Sequence, residues 1–240
     1  MSRVVSFHGG CHGAGTSMLA VCAAEHIASS FAGIRVLLIF AQSPGSPEYV
    51  KGGLALRSIA PHILKRNPDV DEIVERSKIS AGFHAIGAGE GPADFSDMHP
   101  DDGSFLAEAL LPRFDLIVCD CGCEPDRGLS LGLMFAADDR VSVALQRESC
   151  LRRMEQFSPV YARLGISADV LAVNRFGSGA AYTPGYIARR LAAGDADILT
   201  VRESSAASSA EAEQLPLLRF RDGGFRKDIA LLCGRIAERL

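Results

Sequence analysis

The sequence predicts an α/β fold, with a three-layer, doubly wound and mostly parallel twisted sheet that carries helices on both faces. Short, continuous apolar runs of strand length alternate along the chain with segments of helical periodicity. A glycine-rich loop follows the first of these runs and leads straight into a helix. Because no internal repeat or linker interrupts this alternation, we interpret residues 1–240 as a single domain.

The composition is typical of an ordinary globular chain. Hydrophobic residues make up 48% and charged residues 22%, and the net charge of −4 gives no basic footprint for a specific nucleic acid. No apolar run approaches the roughly 18 residues of a membrane span. The seven cysteines fall mostly in predicted strands and helices, as reduced thiols do. We therefore expect a cytoplasmic protein with no integral membrane segment.

The first strand, the glycine loop and the first helix come from residues 4–27, VVSFHGGCHGAGTSMLAVCAAEHI. Gly10 and Gly15 have the G-x-x-x-x-G spacing of a phosphate-binding loop, which Lys and then Ser or Thr should follow. Thr16 takes the Lys position, whereas Ser17 matches the pattern and could hold Mg²⁺. Backbone N–H groups of such a loop, with the helix dipole, favour an anion. We predict that phosphate binds to the loop itself: Gly10, Cys11, His12, Gly13, Ala14, Gly15, Thr16 and Ser17. The alternative is a turn that is glycine-rich for steric reasons only.

The next segments continue the alternation. RVLLIF at Arg35–Phe40 predicts a buried parallel strand, which the turn residues of Gln42–Pro47 end. Mixed helical periodicity follows from Glu48 to Ser77, and Pro61 and Pro68 should interrupt it.

A short strand at Phe83–Ile86 leads into a loop rich in glycine, proline and aspartate. We interpret the acids of this loop as solvated rather than as a metal site, because their spacing matches no ligand geometry. These acids are Glu90, Asp94, Asp97, Asp101 and Asp102. A helix from about Gly103 to Leu111 should follow.

The strongest strand pattern is FDLIVCDCG, which contains Asp120. An Asp after four apolar residues should lie at the carboxyl edge of the sheet, where ligands of α/β folds bind, although it could instead cap a loop. Cys119, Cys121 and Cys123 alternate around it, which would place all three on one face and makes a metal or cluster conceivable. Because tetrahedral sites more often use C-x-x-C spacing, we expect small buried thiols and no iron–sulfur cluster.

The last third of the chain repeats the pattern of strand and helix. Strands are predicted at Arg140–Gln146, Ala168–Phe176 and Asp197–Val201, with a long helix at Glu148–Leu164. We expect the C-terminal helix to pack on the sheet rather than to bind a membrane, because acidic residues dilute its basic face. Its apolar stripe consists of Phe225, Ile229, Leu232, Ile236 and Leu240.

These landmarks resemble the ParA/MinD family, whose phosphate loop is a deviant Walker A motif. GAGTS at Gly13–Ser17 resembles the GVGTS form of the CpaE and TadZ pilus-assembly branch, in which Thr also stands in for the loop Lys. FDLIVCDCG resembles the family's YDYIIIDTPP strand, and Gln214–Pro216 matches the end of its VxxAxxxGxPL segment. The resemblance covers nearly the whole chain and implies the P-loop NTPase fold. It also implies that Asp120 and Ser17 belong to a magnesium shell and that Asn174 binds the adenine. The alternative for Asn174 is an Asn at a turn, a position where this residue is common.

Three charged groups of that family are missing from this chain. Cys11 takes the position of the signature Lys, Thr16 that of the loop Lys, and Phe40–Gln42 stand where the second strand usually ends in an acid. Because phosphoryl transfer depends on positive charge around the transferring group, we expect weak binding of ATP and Mg²⁺ and little or no hydrolysis. CpaE and TadZ proteins usually carry a receiver-like domain before the first strand, and we expect none here.

The family resemblance also bears on function. Its members dimerise around ATP and position chromosomes, division sites or pilus machines, so it implies a homodimer that positions or regulates a pilus or secretion machine. A second hypothesis is a pseudo-ATPase that binds no nucleotide and acts as a dimeric scaffold. A third is an enzyme that uses the loop for another phosphorylated substrate, or a metal at the three cysteines, although no general base is identifiable. Whether the chain is an enzyme stays open.

Overall fold

The computed structural model describes residues 2–42, 49–87, 98–124 and 128–238. Within these ranges the strands are β1 (Arg3–Gly9), β2 (Val36–Phe40), β3 (Lys78–Ser80), β4 (Phe83–Ile86), β5 (Leu116–Asp120), β6 (Asp139–Leu145), β7 (Val170–Phe176) and β8 (Asp197–Arg202). The α-helices are α1 (Thr16–Ser30), α2 (Leu56–Leu64), α3 (Val70–Arg76), α4 (Pro100–Leu110), α5 (Gly128–Ala136), α6 (Glu148–Arg163), α7 (Pro184–Arg190), α8 (Ala207–Glu213) and α9 (Gly223–Ala237).

The strands form one eight-stranded sheet in the order β3-β4-β2-β5-β1-β6-β7-β8. Neighbouring strands pair in parallel, except that β3 is antiparallel to β4. This pairing confirms the predicted fold class, a mostly parallel sheet in an α/β fold. Because carboxyl ends of parallel strands meet at one edge, the loops that follow β1, β2, β5 and β7 lie along the same edge of the sheet.

Helices cover both faces of the sheet and complete the three layers. On one face α1 packs against α9, and Leu19 and Ile229 are fully buried there. On the other face α4 packs against α5, and Leu106 and Leu133 are fully buried. The C-terminal helix therefore belongs to the core, as the sequence predicts, while Leu240 lies outside the described residues.

Glycine allows α4 and α5 to approach closely. A Cβ added to Gly132 would lie 1.8 Å from the carbonyl oxygen of Pro100, and one added to Gly103 would lie 2.4 Å from a carbonyl oxygen of α5. α4 begins earlier than Gly103, because His99 and Asp102 form a reciprocal cap at its N-terminus.

Some elements differ from the sequence-based expectation. Pro61 does not interrupt its helix but lies inside α2. The carbonyl that it leaves without an amide partner belongs to Arg57, which is exposed and can reach water. The sequence pattern does not predict β3, α5, α7 or α8, each of which is short.

Asp101 and Asp102 lie in the first turn of α4 rather than in a loop, and carboxylates there interact favourably with the helix dipole. No described helix is long and apolar enough to cross a membrane. The other predicted loop acids and most of the turn after β2 lie outside the described residues: Glu90, Asp94, Asp97 and residues 43–47.

Candidate functional site

The loop between β1 and α1 has a backbone suited to binding an anion. Gly13 and Gly15 have φ angles of 73° and 86°, in the left-handed region that glycine adopts without strain. α1 begins at Thr16, and the amide of Leu19 bonds to the carbonyl of Gly15 at 3.0 Å. Within the part of the chain that the structure describes, several earlier amides donate to no backbone carbonyl: those of Gly13, Gly15, Thr16 and Ser17. Unpaired amides at a helix N-terminus favour an anion.

The two residues in the lysine positions carry no positive charge. Thr16 is buried, and its hydroxyl lies so close to Gly9 that a Cβ added there would be 2.2 Å from Thr16 Oγ1. Cys11 is half-buried and packs against the core cluster that contains Cys150. Burial is the largest effect that raises the pKa of Cys150 to about 12, and the neighbouring Cys11 thiol adds to it. The loop therefore offers amides to a phosphate without the lysines that usually form charge-assisted hydrogen bonds.

Gln42 connects the phosphate loop to the end of β5. Its side-chain Nε2 donates to Ser17 Oγ at 2.5 Å and, through a shorter contact, to the carboxylate of Asp120. Asp120 Oδ1 also accepts from the backbone N–H of Gly122 at 3.2 Å. Because Phe40 and Asp120 are partners in the β2–β5 register, the chain just after Phe40 passes the carboxylate. Gln42 therefore lies just after β2, in the stretch where the resemblance to the ParA/MinD family predicts an acid.

The oxygen atoms of Ser17 and Asp120 are ligands of the kind that Mg²⁺ prefers. However, the Gln42 amide donates to both of them and so uses lone pairs that a cation would need. Ser17 and Asp120 are suited to hold Mg²⁺ if the Gln42 amide moves away from their oxygen atoms.

Asp120 is fully buried, and burial raises its pKa to about 6. Hydrogen bonds from Ser17, Gly122 and Gln42 lower the pKa, but they do not offset the loss of solvation. The carboxylate is therefore mostly ionised at neutral pH, at a cost that a nearby cation would reduce.

The side chain of Asn174 is tied to the phosphate loop. Its Nδ2 donates to the carbonyl of Ala14 at 2.7 Å, and a Cβ added to Gly15 would lie 2.3 Å from the same nitrogen. A cavity of about 70 Å³ adjoins Asn174 and is also lined by Tyr49 and Arg175. Typical ligand pockets begin at about 300 Å³, so a purine would have to widen this cavity. The adenine-binding role of Asn174 stays a prediction.

The three cysteines around the end of β5 do not share one face. Cys119 and Cys121 are buried in the core, whereas Cys123 is half-buried. Gly122, with a φ of 65°, turns the chain between them and directs Cys123 towards His12. The predicted common face is wrong because the strand alternation ends with β5.

α6 supplies a cation that the sequence patterns do not single out. Arg153 donates to the carbonyl of Cys123 and to the carboxylate of Glu124, each at 3.3 Å. Its guanidinium also lies 4.9 Å from the centre of the Phe157 ring. These contacts of Arg153 join segments that are far apart in sequence, so no local sequence pattern reveals them. The positive charge of Arg153 is the one feature that the sequence itself shows.

No protein-family model and no curated protein sequence matches the chain. Among solved structures, a ParA family ATPase from Chlorobium tepidum superimposes with a TM-score of 0.80 at 19% identity, with 97% of each chain covered. The septum site-determining protein MinD from Pyrococcus horikoshii, complexed with Mg-ADP, gives 0.76 at 15% identity, covering 100% of this chain and 97% of that one. The MinC:MinD cell division protein complex of Aquifex aeolicus gives 0.68 at 17% identity, covering 99% and 96%. This likeness shows that the chain has the fold of the ParA/MinD ATPases.

Proposed function

We propose that the chain is a MinD/ParA/CpaE-like protein that binds ATP and Mg²⁺ weakly, hydrolyses little or no ATP, and acts as a homodimer that positions or regulates a pilus or secretion machine. The observation that carries this proposal is the loop before α1. It keeps unpaired amides at Gly13 and Gly15, while Cys11 and Thr16 replace both lysines. The fold supports nucleotide binding, and the GAGTS resemblance to CpaE and TadZ supports the kind of machine.

The size of the lost charge interactions sets the expected affinity. Each lost charge-assisted hydrogen bond costs about 1.5–3 kcal/mol, which is about 10- to 150-fold in affinity for each lysine. Micromolar ATP binding would then weaken towards about millimolar dissociation constants. Hydrolysis should suffer more, because the transition state needs positive charge around the transferring phosphoryl group.

Equilibrium binding of labelled ATP with and without Mg²⁺ tests the proposal, together with ATP turnover and the mass from light scattering. The matched control is Gly15→Val, whose side chain would meet Asn174 at a backbone φ of 86°. We expect weak, saturable binding by the wild type, none by the variant, and equal background turnover in both. A dimer should appear by mass. Turnover of about 1 s⁻¹ by the wild type alone would contradict the proposal.

A second candidate function is a nucleotide-free pseudo-ATPase that acts as a dimeric scaffold. The Gln42 amide favours it, because Ser17 and Asp120 already have a hydrogen-bond donor where Mg²⁺ would bind. The small cavity beside Asn174 favours it as well. A dimer whose mass is independent of nucleotide, with no ATP binding at millimolar concentration, would select this candidate.

A further inference from the structure

Three side chains with metal-ligand chemistry meet beside the phosphate loop: those of His12, Cys123 and Glu124. His12 lies in the loop after β1 and the other two lie in the loop after β5, and these strands are neighbours in the sheet. His12 Nδ1 lies 3.4 Å from Cys123 Sγ, and His12 Nε2 lies 2.8 Å from Glu124 Oε1. One ligand atom of each residue can be chosen so that all three lie within 4.8 Å of one another.

One of these separations matches a tetrahedral zinc site, and the third ligand has to move by about an ångström to complete it. Zn–S bonds of about 2.3 Å and Zn–N or Zn–O bonds of about 2.0–2.2 Å place ligand atoms about 3.3–3.6 Å apart. The distance between Cys123 Sγ and His12 Nδ1 already falls in that range. Glu124 now contacts Nε2 of His12, on the other side of the ring from Cys123; because the His12 side chain is 78% exposed, the ring can turn to bring one nitrogen within reach of both ligands without disturbing the core.

The ligand types favour Zn²⁺ over Mg²⁺. Thiolate and imidazole are softer ligands than the oxygen atoms that Mg²⁺ prefers, and a thiolate with a carboxylate balances two positive charges. Arg153 bonds to the backbone of Cys123 and to the side chain of Glu124, which holds both ligands in position. As a surface ion pair alone, His12 and Glu124 would contribute little stability.

We infer that His12, Cys123 and Glu124 bind one Zn²⁺-class ion that joins the phosphate loop to the loop after β5. The ion has three protein ligands, and water takes its fourth position. This site is distinct from the Mg²⁺ ligands Ser17 and Asp120, and it forms whether or not the chain binds a nucleotide.

Titration of the reduced, chelator-treated full chain with Co²⁺ and then Zn²⁺ tests this inference. We expect one Co²⁺ for each chain, a thiolate-to-cobalt charge-transfer band in the near ultraviolet, and displacement of the band by Zn²⁺. Cys123→Ser should abolish the band. His12→Ala and Glu124→Gln should each weaken Zn²⁺ binding at least about tenfold, since even outer-sphere partners of metal ligands contribute that much.

Control variants separate this site from other thiols and histidines. His62→Ala, at an exposed position of α2, and Cys11→Ser should each keep the band and the affinity. Cys123→His should keep Zn²⁺ binding but lose the band, which checks the position even if Cys123→Ser folds poorly. A band that persists in Cys123→Ser, or wild-type Zn²⁺ affinity in His12→Ala, would overturn the inference. So would the absence of Co²⁺ binding below millimolar concentration.

Discussion

At Gln42, one neutral amide faces the two oxygen atoms that a magnesium ion would contact. Its N–H groups satisfy Ser17 and the ionised Asp120, but they bring no net charge to a phosphate. The hydrogen bond from Gln42 to Asp120 lowers the pKa of this buried carboxyl group, although burial has the larger effect. A Mg²⁺ ion at these two oxygen atoms would compete with the protein's own side chain.

We predict that Gln42→Ala increases the dependence of ATP binding on Mg²⁺. A hydrogen bond to a charged group contributes about 1.5–3 kcal/mol, so the gain in ATP affinity on adding Mg²⁺ should be about tenfold larger in the variant. The measurement is the ATP dissociation constant with Mg²⁺ and with a chelator. Gln156→Ala, at an exposed position of α6, is the control. An equal effect of Mg²⁺ in the wild type and in Gln42→Ala would contradict competition.

The raised pKa of Asp120 predicts a specific pH dependence of stability. Its pKa is about 6 in the folded state and 3.8 as a model value, so the folded state binds the proton more tightly. The stabilisation of the folded state by protonated Asp120 is fully present below about pH 4 and is lost as the pH rises through about 6. Relative to the wild type, Asp120→Asn should therefore gain up to about 3 kcal/mol of unfolding free energy between about pH 4 and pH 7.

Urea unfolding of both proteins at the two pH values gives this difference. The comparison with a variant is needed because burial and then Arg140 lower the pKa of His8 to about 4, which makes wild-type stability rise with pH in an overlapping range. Asp71→Asn, whose side chain is 77% exposed, is the control. A constant difference between the wild type and Asp120→Asn would refute the predicted titration.

At the scale of elements, the packing of α4 on α5 depends on the absence of a side chain at Gly132. We predict that Gly132→Ala lowers the free energy of unfolding by at least about 1–3 kcal/mol, because the new methyl group would lie 1.8 Å from a backbone carbonyl oxygen. Gly234→Ala in α9 is the matched control, since a Cβ there meets nothing within 4 Å. It should stabilise by about 0.4–1 kcal/mol through the unfolded chain. Urea unfolding measures both effects, and equal stability of the two variants would rule out the close contact.

Most of the strands that the sequence predicts have continuous apolar runs. β1, β2, β5, β6 and β7 lie within one or two residues of the predicted ranges, because buried parallel strands are apolar on both faces. α5 and α7 escape prediction because short helices with glycine or proline carry little periodicity. The cap formed by His99 and Asp102 departs from the usual Ser or Thr signature, so the start of α4 is also missed.

The sequence predicts only those parts of the candidate site whose residues lie in one short segment. The loop from Gly10 to Ser17 has a spacing that can be read directly, and Asp120 follows from its place after an apolar run. The contact of Gln42 with Asp120 depends on strand register across 78 positions, which no local pattern encodes. The contact between His12 and Cys123 depends on the turn after β5, which no local pattern encodes either.

For the whole molecule, we propose that a ParA/MinD-like fold keeps phosphate binding in the loop between β1 and α1 although that loop lacks the family's lysines. The measurement that tests it most directly is ATP binding by Thr16→Lys, compared with the wild type and with Thr16→Met, which matches the length without the charge. If the amides at Gly13 and Gly15 still bind phosphate, Lys at position 16 should raise ATP affinity by about 1.5–3 kcal/mol, or about 10- to 150-fold, while Thr16→Met gives no gain. Hydrolysis should stay at background, because Cys11 and Gln42 are unchanged. A folded Thr16→Lys protein whose ATP affinity equals that of the wild type would contradict the claim.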